Sequence, residues 1–456
     1  MKQPLFFKQM LLLLFSVLSY SLYGQTNDWQ PLGPNDLNQP SFGTSDVTSL
    51  TIGADDQIYF AYRDYDHNNK ATVRKFNGTS WETVGTIGFS EGAISQLSSA
   101  TAPDGTLYIG YQDYAYAGKI TVKKFNGISW ETVGTPGFSS GIGIYTSLVI
   151  APDGTPYIGF SDISNSNKAT VMKFNGTGWV AVGSGIISTG GAYYTSLAIA
   201  QDGTLYTGYM DLNSNSKATV KKFDGTNWVT VGTEGFSVDP TSYYTSLVIA
   251  QDGTLYIGYS DFGSIGKATV MKYSGNTWQT VGTAQFSPDS AVYTKLAIAP
   301  DGTPYIGYAD GSNNGKATVK KFNGSSWITV GTEGLSAGAV NYYLDLTFTQ
   351  DSKNVVIGYS LSGSNGVFAR YYDTDLLSTR ETGIQQSGIY PNPSKGEVNI
   401  KTSKPIKSVT LFDMAGRMIL TTTSDKVDLS AFPKSTYILN VQFSDGTSLS
   451  EKVIKE

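Results

Sequence analysis

Seven tryptophans stand at a near-constant interval along the chain: Trp29, Trp81, Trp130, Trp179, Trp228, Trp278 and Trp327. The last six are 49 or 50 residues apart, and the first gap is 52. A repeat near 50 residues made of short β runs indicates propeller blades, units that bury their apolar faces only against copies of themselves. One unit, Tyr193 to Gly232, holds four such runs: TSLAIA, LYTGYM, KATVKKF and WVTVG. Each is β-branched or aromatic and bounded by turn residues. The 51 glycines and the 15% of charged residues suit a chain of strands and tight turns.

The turns agree with this reading. The first connection of five units is Pro-Asp-Gly or Gln-Asp-Gly, as in Pro103-Asp104-Gly105 and Gln201-Asp202-Gly203. The third is Asn-Gly or a close equivalent, as in Asn126-Gly127 and Asp224-Gly225. Both are hairpin signals, with glycine supplying the positive φ. Inner strands counted near Leu50, Leu97, Leu148, Leu197, Leu247, Leu296 and Leu346 give seven units. The seventh lacks its Trp strand after Asp373, while an orphan strand, Asp28 to Gly33, precedes the first. The expected fold is therefore all-β. It is a seven-bladed propeller over residues 25–373, in which the N-terminal strand completes the last blade and removes its open edge. The tryptophans are expected in the core, each contributing up to about 5 kcal/mol.

At the N-terminus, Lys2 and Lys8 precede a short apolar run, Met10 to Leu18, and then small and polar residues. A span needs about 20 apolar residues, so residues 1–24 are read as a signal peptide and no transmembrane span is expected. The chain has no Cys and one His, which excludes disulfides, thiolate metal sites and multi-His sites. Its net charge of −5 argues against nucleic acid as a partner. Nothing in the sequence asks for a cofactor.

Residues 374–388 are polar and outside the repeat, and read as a linker. Residues 389–456 alternate in short runs that suggest a small β-sandwich. They carry Pro391-Asn392-Pro393 with Gly396, then Asp413 with Gly416-Arg417, then Pro433 with Tyr437, and finally Lys452-Val453-Ile454-Lys455. In that order these motifs closely resemble the type A sorting domain of type IX secretion cargo. One departure is Lys434-Ser435-Thr436, where the family usually has Gly between Pro and Tyr. The resemblance implies the type IX machinery as a partner, a Bacteroidetes-type source, and export across the outer membrane to the surface or the medium.

In a four-strand meander, the second connection and the link to the next blade share a face. Here those loops are the longer and more varied ones, and loops on a rigid scaffold are where function concentrates. Six second connections carry an Asp and a Lys six residues apart: Asp64/Lys70, Asp113/Lys119, Asp162/Lys168, Asp211/Lys217, Asp261/Lys267 and Asp310/Lys316. They are read as cross-strand ion pairs, with a ring of ligand contacts as the alternative. Alternating oxygens such as Asp64-x-Asp66-x-Asn68 resemble calcium spacing, yet the twelfth position is Lys75, not Glu, so a polar hairpin tip is the preferred reading. Glu91, Glu234 and Glu333 are read as solvated loop charges.

One position just before each inner strand is expected to ring the channel mouth: Val47, Ile94, Tyr145, Tyr194, Tyr244, Tyr293 and Tyr343. A tyrosine offers an apolar face to a sugar's C–H side and a hydroxyl to its edge. These five tyrosines are the candidate ligand site; the alternative is packing between blades. The propeller resembles lectin propellers only in period and recurrent Trp. A secreted or surface binding module is expected, its ligand a glycan or a surface protein. A propeller-fold lyase or glycosidase, or a protein-binding scaffold, is the alternative.

Overall fold

The structure is a computed structural model. It describes residues 28–33, 45, 47–54, 56–239, 242–263, 265–350, 353–362, 366–374, 388–402, 405–414, 416–444 and 448–456. The expected signal peptide lies outside the described residues, as does the expected linker apart from Thr374 and Gly388. The chain divides into two compact units, Met1–Thr374 and Asp375–Glu456.

Among the described residues the first unit holds seven four-stranded antiparallel sheets. Blade 1 is Thr48–Ile52, Ile58–Asp64, Lys70–Phe76 and Trp81–Thr83, from the inner to the outer strand. Blades 2 to 6 repeat this meander, with inner strands Ile94–Thr101, Gly143–Ile150, Ala192–Ile199, Ser242–Ile249 and Ala291–Ile298. Blade 7 has Val340–Phe348, Asn354–Leu361 and Val367–Asp373, and its outer strand is Gln30–Pro31 from the N-terminus. Gln30 pairs with Tyr371 and Pro31 with Arg370. The inner strands neighbour one another in order, and that of blade 7 neighbours that of blade 1. The all-β, seven-bladed fold and its closure by the N-terminal strand thus stand as the sequence implied.

The tryptophans explain how each blade locks to the one before it. Trp130 Nε1 donates to Val84 O of blade 1 at 2.9 Å, and Trp179 Nε1 to Val133 O of blade 2 at 2.7 Å. The closing strand takes both roles. Trp29 Nε1 donates to Val330 O of blade 6 at 2.8 Å, and Trp81 Nε1 donates to Leu32 O at 2.8 Å. Trp130, Trp179, Trp278 and Trp327 each stack on a Phe from the preceding link, such as Phe89 under Trp130 at 4.3 Å. Trp29 is 4% exposed, whereas the other six are half-buried at the outer rim. They seal the joints between blades, while the deep core is built of middle-strand residues such as Tyr62, Tyr111 and Tyr209.

Two glycines show how tight the joints are. Gly331 has φ +64°, and a Cβ there would stand 2.8 Å from Trp29 Cδ1. A Cβ on Gly358 of blade 7 would lie within van der Waals overlap of the Phe60 ring of blade 1.

Among its described residues the second unit has two antiparallel sheets. One is Gly388–Tyr390, Glu397–Lys401 and Lys426–Asp428; the other is Met418–Thr422, Ile406–Phe412, Ser435–Phe443 and Ser448–Lys455. Val398, Ile400, Val409, Leu411, Leu439, Val441 and Val453 fill one core. The motif residues hold its corners. Asn392 Nδ2 donates to Lys452 O at 2.6 Å, and its Oδ1 accepts from Ile454 N at 2.9 Å. Asp413 bonds Arg417 Nε at 2.7 Å and Arg417 N at 2.9 Å across a turn in which Gly416 has φ +76°. The Tyr437 hydroxyl donates to Pro433 O at 2.7 Å, so the departure at Lys434-Ser435-Thr436 leaves this corner intact.

Candidate functional site

The inner strands of blades 3 to 6 each break register just after they begin, and the residue at the break has a left-handed backbone. In blade 3 the pairing skips from Ile144/Ser161 to Ser147/Gly159. Tyr145, Tyr194, Tyr244 and Tyr293 occupy these breaks with φ of 55°, 53°, 54° and 57°. A bulky residue in that region costs about 1–2 kcal/mol, and such strain concentrates at functional sites.

Two neighbours extend the series, and neither is the residue expected from sequence. In blade 7 the break between Val340 and Leu344 holds one more residue than in the other blades. Tyr342, with φ 54°, therefore takes the ring position. Tyr343 packs against the core that contains Val47 and Ile94, although it also lines the cavity wall. In blade 2 the equivalent residue is Gln96, with φ 49°, and not Ile94, which is fully buried at the strand start and pairs with Asp113. Blade 1 pairs without a break, and Val47 is core. Counting back from the leucines failed because Ser99, not Leu97, occupies the place of Leu148: both pair with the middle-strand isoleucine, Ile109 and Ile158.

The rings form an arc. Centroids are 4.7 Å apart for Tyr145–Tyr194, 4.9 Å for Tyr194–Tyr244, 4.9 Å for Tyr244–Tyr293 and 6.2 Å for Tyr293–Tyr342, all inclined. Tyr342 is exposed and the other four are half-buried. Together with Gln96, Thr48 and the next residues of each strand they line a cavity of about 420 Å³. Burial raises the hydroxyl pKa of Tyr145, Tyr194, Tyr244 and Tyr293, so these groups stay protonated donors at neutral pH. In blades 3 to 6 the threonine after the ring tyrosine ties it to the preceding blade: Thr294 Oγ1 donates to Tyr244 O at 2.8 Å, and Thr195, Thr245 and Thr146 do the same to Tyr145, Tyr194 and Gln96. The Thr48 hydroxyl is buried in the wall with no hydrogen-bond partner among the described residues.

The outer loops of this face differ from expectation. Each Asp of the six Asp/Lys couples pairs with its Lys through the backbone, as in Asp113↔Lys119. Among the described residues no ion pair joins the side chains. The carboxylates turn inward, almost fully buried, and cap the turn that follows. Asp113 accepts from Ala115 N at 3.0 Å and from Thr121 Oγ1 at 2.9 Å, and Asp310 accepts from Ser312 N and Thr318 Oγ1 at 3.0 Å each. A buried acceptor finds local donors more cheaply than it holds a flexible lysine, so the couples act as turn caps. Among the described residues no group of three or more His, Cys, Asp or Glu could hold a metal ion. Glu234 and Glu333 are not free loop charges: they bond Lys221 at 2.9 Å and Lys320 at 3.0 Å. His67 Nδ1 lies 2.9 Å from Asp64 Oδ2 at the rim of blade 1.

Residues 388–456 match the secretion system C-terminal sorting domain family. No curated protein sequence matches the chain. Among solved structures, the BP39L lectin from Burkholderia pseudomallei has 11% identity and a TM-score of 0.53, over 73% of this chain and 97% of that one. A PL25 ulvan lyase follows with 11% identity and a TM-score of 0.49, over 77% and 96%. An α-L-arabinanase from Penicillium chrysogenum has 12% and 0.42, over 76% and 98%. These likenesses concern the fold alone. Fold and tail together define a β-propeller carrying a type IX sorting domain. The protein is type IX secretion cargo, exported to the cell surface or the extracellular space.

Proposed function

We propose that the exported propeller is a carbohydrate-binding protein and that the tyrosine-lined channel mouth is its ligand site. The observation that carries this reading is the arc of five tyrosines, all held at left-handed φ around one cavity. Packing alone does not call for five bulky residues in a strained backbone, since blade 1 does without one. The arc supplies apolar ring faces for sugar C–H groups, and the tyrosine hydroxyls and Gln96 supply polar contacts at its edge. That a lectin shares the fold is consistent with this use of a propeller. The domain organisation that goes with it is a signal peptide at 1–24, a propeller at 25–373, a linker at 374–388 and the sorting domain at 389–456.

A panel of neutral and acidic oligosaccharides, screened for binding with the reaction products analysed in parallel, tests the proposal. Saturable binding with every oligosaccharide recovered intact supports it. Binding followed by chain cleavage replaces it with a glycan-degrading enzyme, and binding to no member of the panel removes the carbohydrate reading.

A further inference from the structure

Next to the tyrosines the channel is lined by a ring of one residue per blade. Five are serines, Ser49, Ser98, Ser147, Ser196 and Ser246; blades 6 and 7 contribute Lys295 and Asp345. The same ring lines the second cavity, of about 510 Å³, toward the opposite face. It is the waist of the channel, shared by both mouths.

What this waist offers a ligand follows from what its atoms already do. Each serine oxygen accepts a backbone N–H from the next blade: Leu148 N to Ser98 at 3.0 Å, Leu197 N to Ser147 at 3.0 Å, Leu247 N to Ser196 at 2.9 Å, Leu296 N to Ser246 at 3.1 Å and Ser99 N to Ser49 at 3.0 Å. The Ser49 hydroxyl also bonds the Ser99 hydroxyl at 2.9 Å. A hydroxyl that already accepts is polarised toward donating its own proton, and Ser98, Ser147, Ser196 and Ser246 carry this argument. Lys295 breaks the pattern, having no acceptor to offer. Asp345 repairs the break. Its Oδ1 accepts from Leu346 N at 3.0 Å and from Lys295 Nζ at 3.1 Å, and its Oδ2 accepts from Leu50 N at 2.9 Å. The only carboxylate of the ring is thus committed to three donors. Lys295 uses one N–H on Asp345 and is 41% exposed in the lumen. Just above, Gln96 Oε1 accepts from Tyr145 N at 2.8 Å, which leaves its amide N–H groups to donate.

The waist is therefore rich in donors and poor in free acceptors. We infer that it is an oxyanion site that takes the carboxylate or sulfate group of an acidic sugar whose ring lies against the tyrosine arc. This rests on the carbohydrate reading of the mouth and names its substrate class. A neutral sugar hydroxyl gains less there, because hydrogen bonds to a charged acceptor are roughly twice as strong.

The test is calorimetric titration of the full secreted protein with three probes: inorganic sulfate, a sulfated uronate-containing tetrasaccharide of the heparin type, and neutral cellotetraose. The variant is Lys295→Ser/Asp345→Ser, which continues the serine ring of the other five blades and so preserves the hydrogen bonds between inner strands. Its melting temperature confirms folding. The wild type should prefer the acidic over the neutral chain by roughly tenfold or more. The variant should lose that preference and its sulfate binding while keeping its affinity for the neutral chain. Equal affinity of the wild type for both chains, or an acidic preference that survives in the variant, overturns the oxyanion site and leaves the carbohydrate reading standing. Sulfate binding that the variant abolishes, with neither oligosaccharide bound, supports the oxyanion site with a free inorganic anion as its source and overturns the carbohydrate reading.

Discussion

Removing the Trp29 ring should weaken the whole propeller, because that one side chain joins blade 6 to the strand that finishes blade 7. Trp29 is 4% exposed, packs on Tyr372 at 5.6 Å and donates to Val330 O at 2.8 Å. Burial of about 200 Å² at about 25 cal/mol per Å² sets an upper limit near 5 kcal/mol. Water reaching Val330 O after truncation offsets part of the lost hydrogen bond. Trp29→Ala should therefore cost about 3–5 kcal/mol. Trp179→Ala, at a half-buried joint away from the closure, should cost less. Deleting Asp28 to Gly33 should cost at least as much as Trp29→Ala, since it also removes the pairing to Tyr371 and Arg370 and the Asp28 bond to Thr332 Oγ1 at 2.7 Å. Urea unfolding followed by circular dichroism measures the three variants on one scale. A Trp29→Ala protein with the wild-type midpoint, or a deletion as stable as the wild type, would refute closure by this strand.

Gly331→Ala should destabilise by about 1–3 kcal/mol through backbone strain and overlap with Trp29, whereas Gly78→Ala, at φ +97° with nothing within 4 Å, should show only the backbone part. Thermal melts of the two variants compare them directly. Glu234 is held below the usual carboxyl pKa of 4.5 chiefly by its hydrogen bond from Lys221, and Glu333 chiefly by that from Thr329. The unfolded chain then binds more protons between the folded pKa and 4.5, so this stability is present above that window and is lost as pH falls through the folded pKa. Melting temperature against pH from about 3 to 5 should be flatter in Glu234→Gln/Glu333→Gln than in the wild type; parallel curves contradict the assignment. Removing residues 388–456 should leave a folded propeller in the periplasm, and its recovery at the surface or in the medium would contradict the sorting role.

The repeat was legible because Trp and Gly mark fixed points of each blade. The Trp must reach the joint, and glycines such as Gly331 must pass a ring at positive φ. Even the missing strand of blade 7 could be matched to Asp28–Gly33 by its Trp. The partners of Asp113 and Asp310 were not legible, because sequence spacing shows which residues face each other on a hairpin and not which donors a buried carboxylate prefers. In blades 3 to 6, where spacing is regular, counting back from the leucines reaches the residues at the register break, Tyr145, Tyr194, Tyr244 and Tyr293. In blades 7 and 2 the extra residue and Ser99 in the usual leucine place shift the count, from Tyr343 to Tyr342 and from Ile94 to Gln96. Gln96 escaped notice for the same reason. Its signal was available in the alignment of SQLSS with IYTSL, which sets Ser98 on Ser147 and Gln96 on Tyr145. The serine waist recurred in plain sight at Ser147, Ser196 and Ser246, yet its role depends on hydrogen bonds between blades that no single repeat contains.

The central claim is that the tyrosine arc binds the ligand, and the comparison of affinity with stability in Tyr194→Ala and Tyr244→Ala tests it most directly. Both positions have φ near 54°, which alanine tolerates no better than tyrosine, so backbone strain is unchanged by the substitution. Each ring is half-buried and contacts its neighbours at 4.7–4.9 Å. For an oligosaccharide that binds the wild type, each variant should lose roughly fivefold in affinity, since an aromatic contact is worth on the order of 1 kcal/mol. The melting temperature should stay within a few degrees of the wild type. Unchanged affinity together with a large fall in melting temperature in both variants would contradict the account, and would make the arc a packing element between blades.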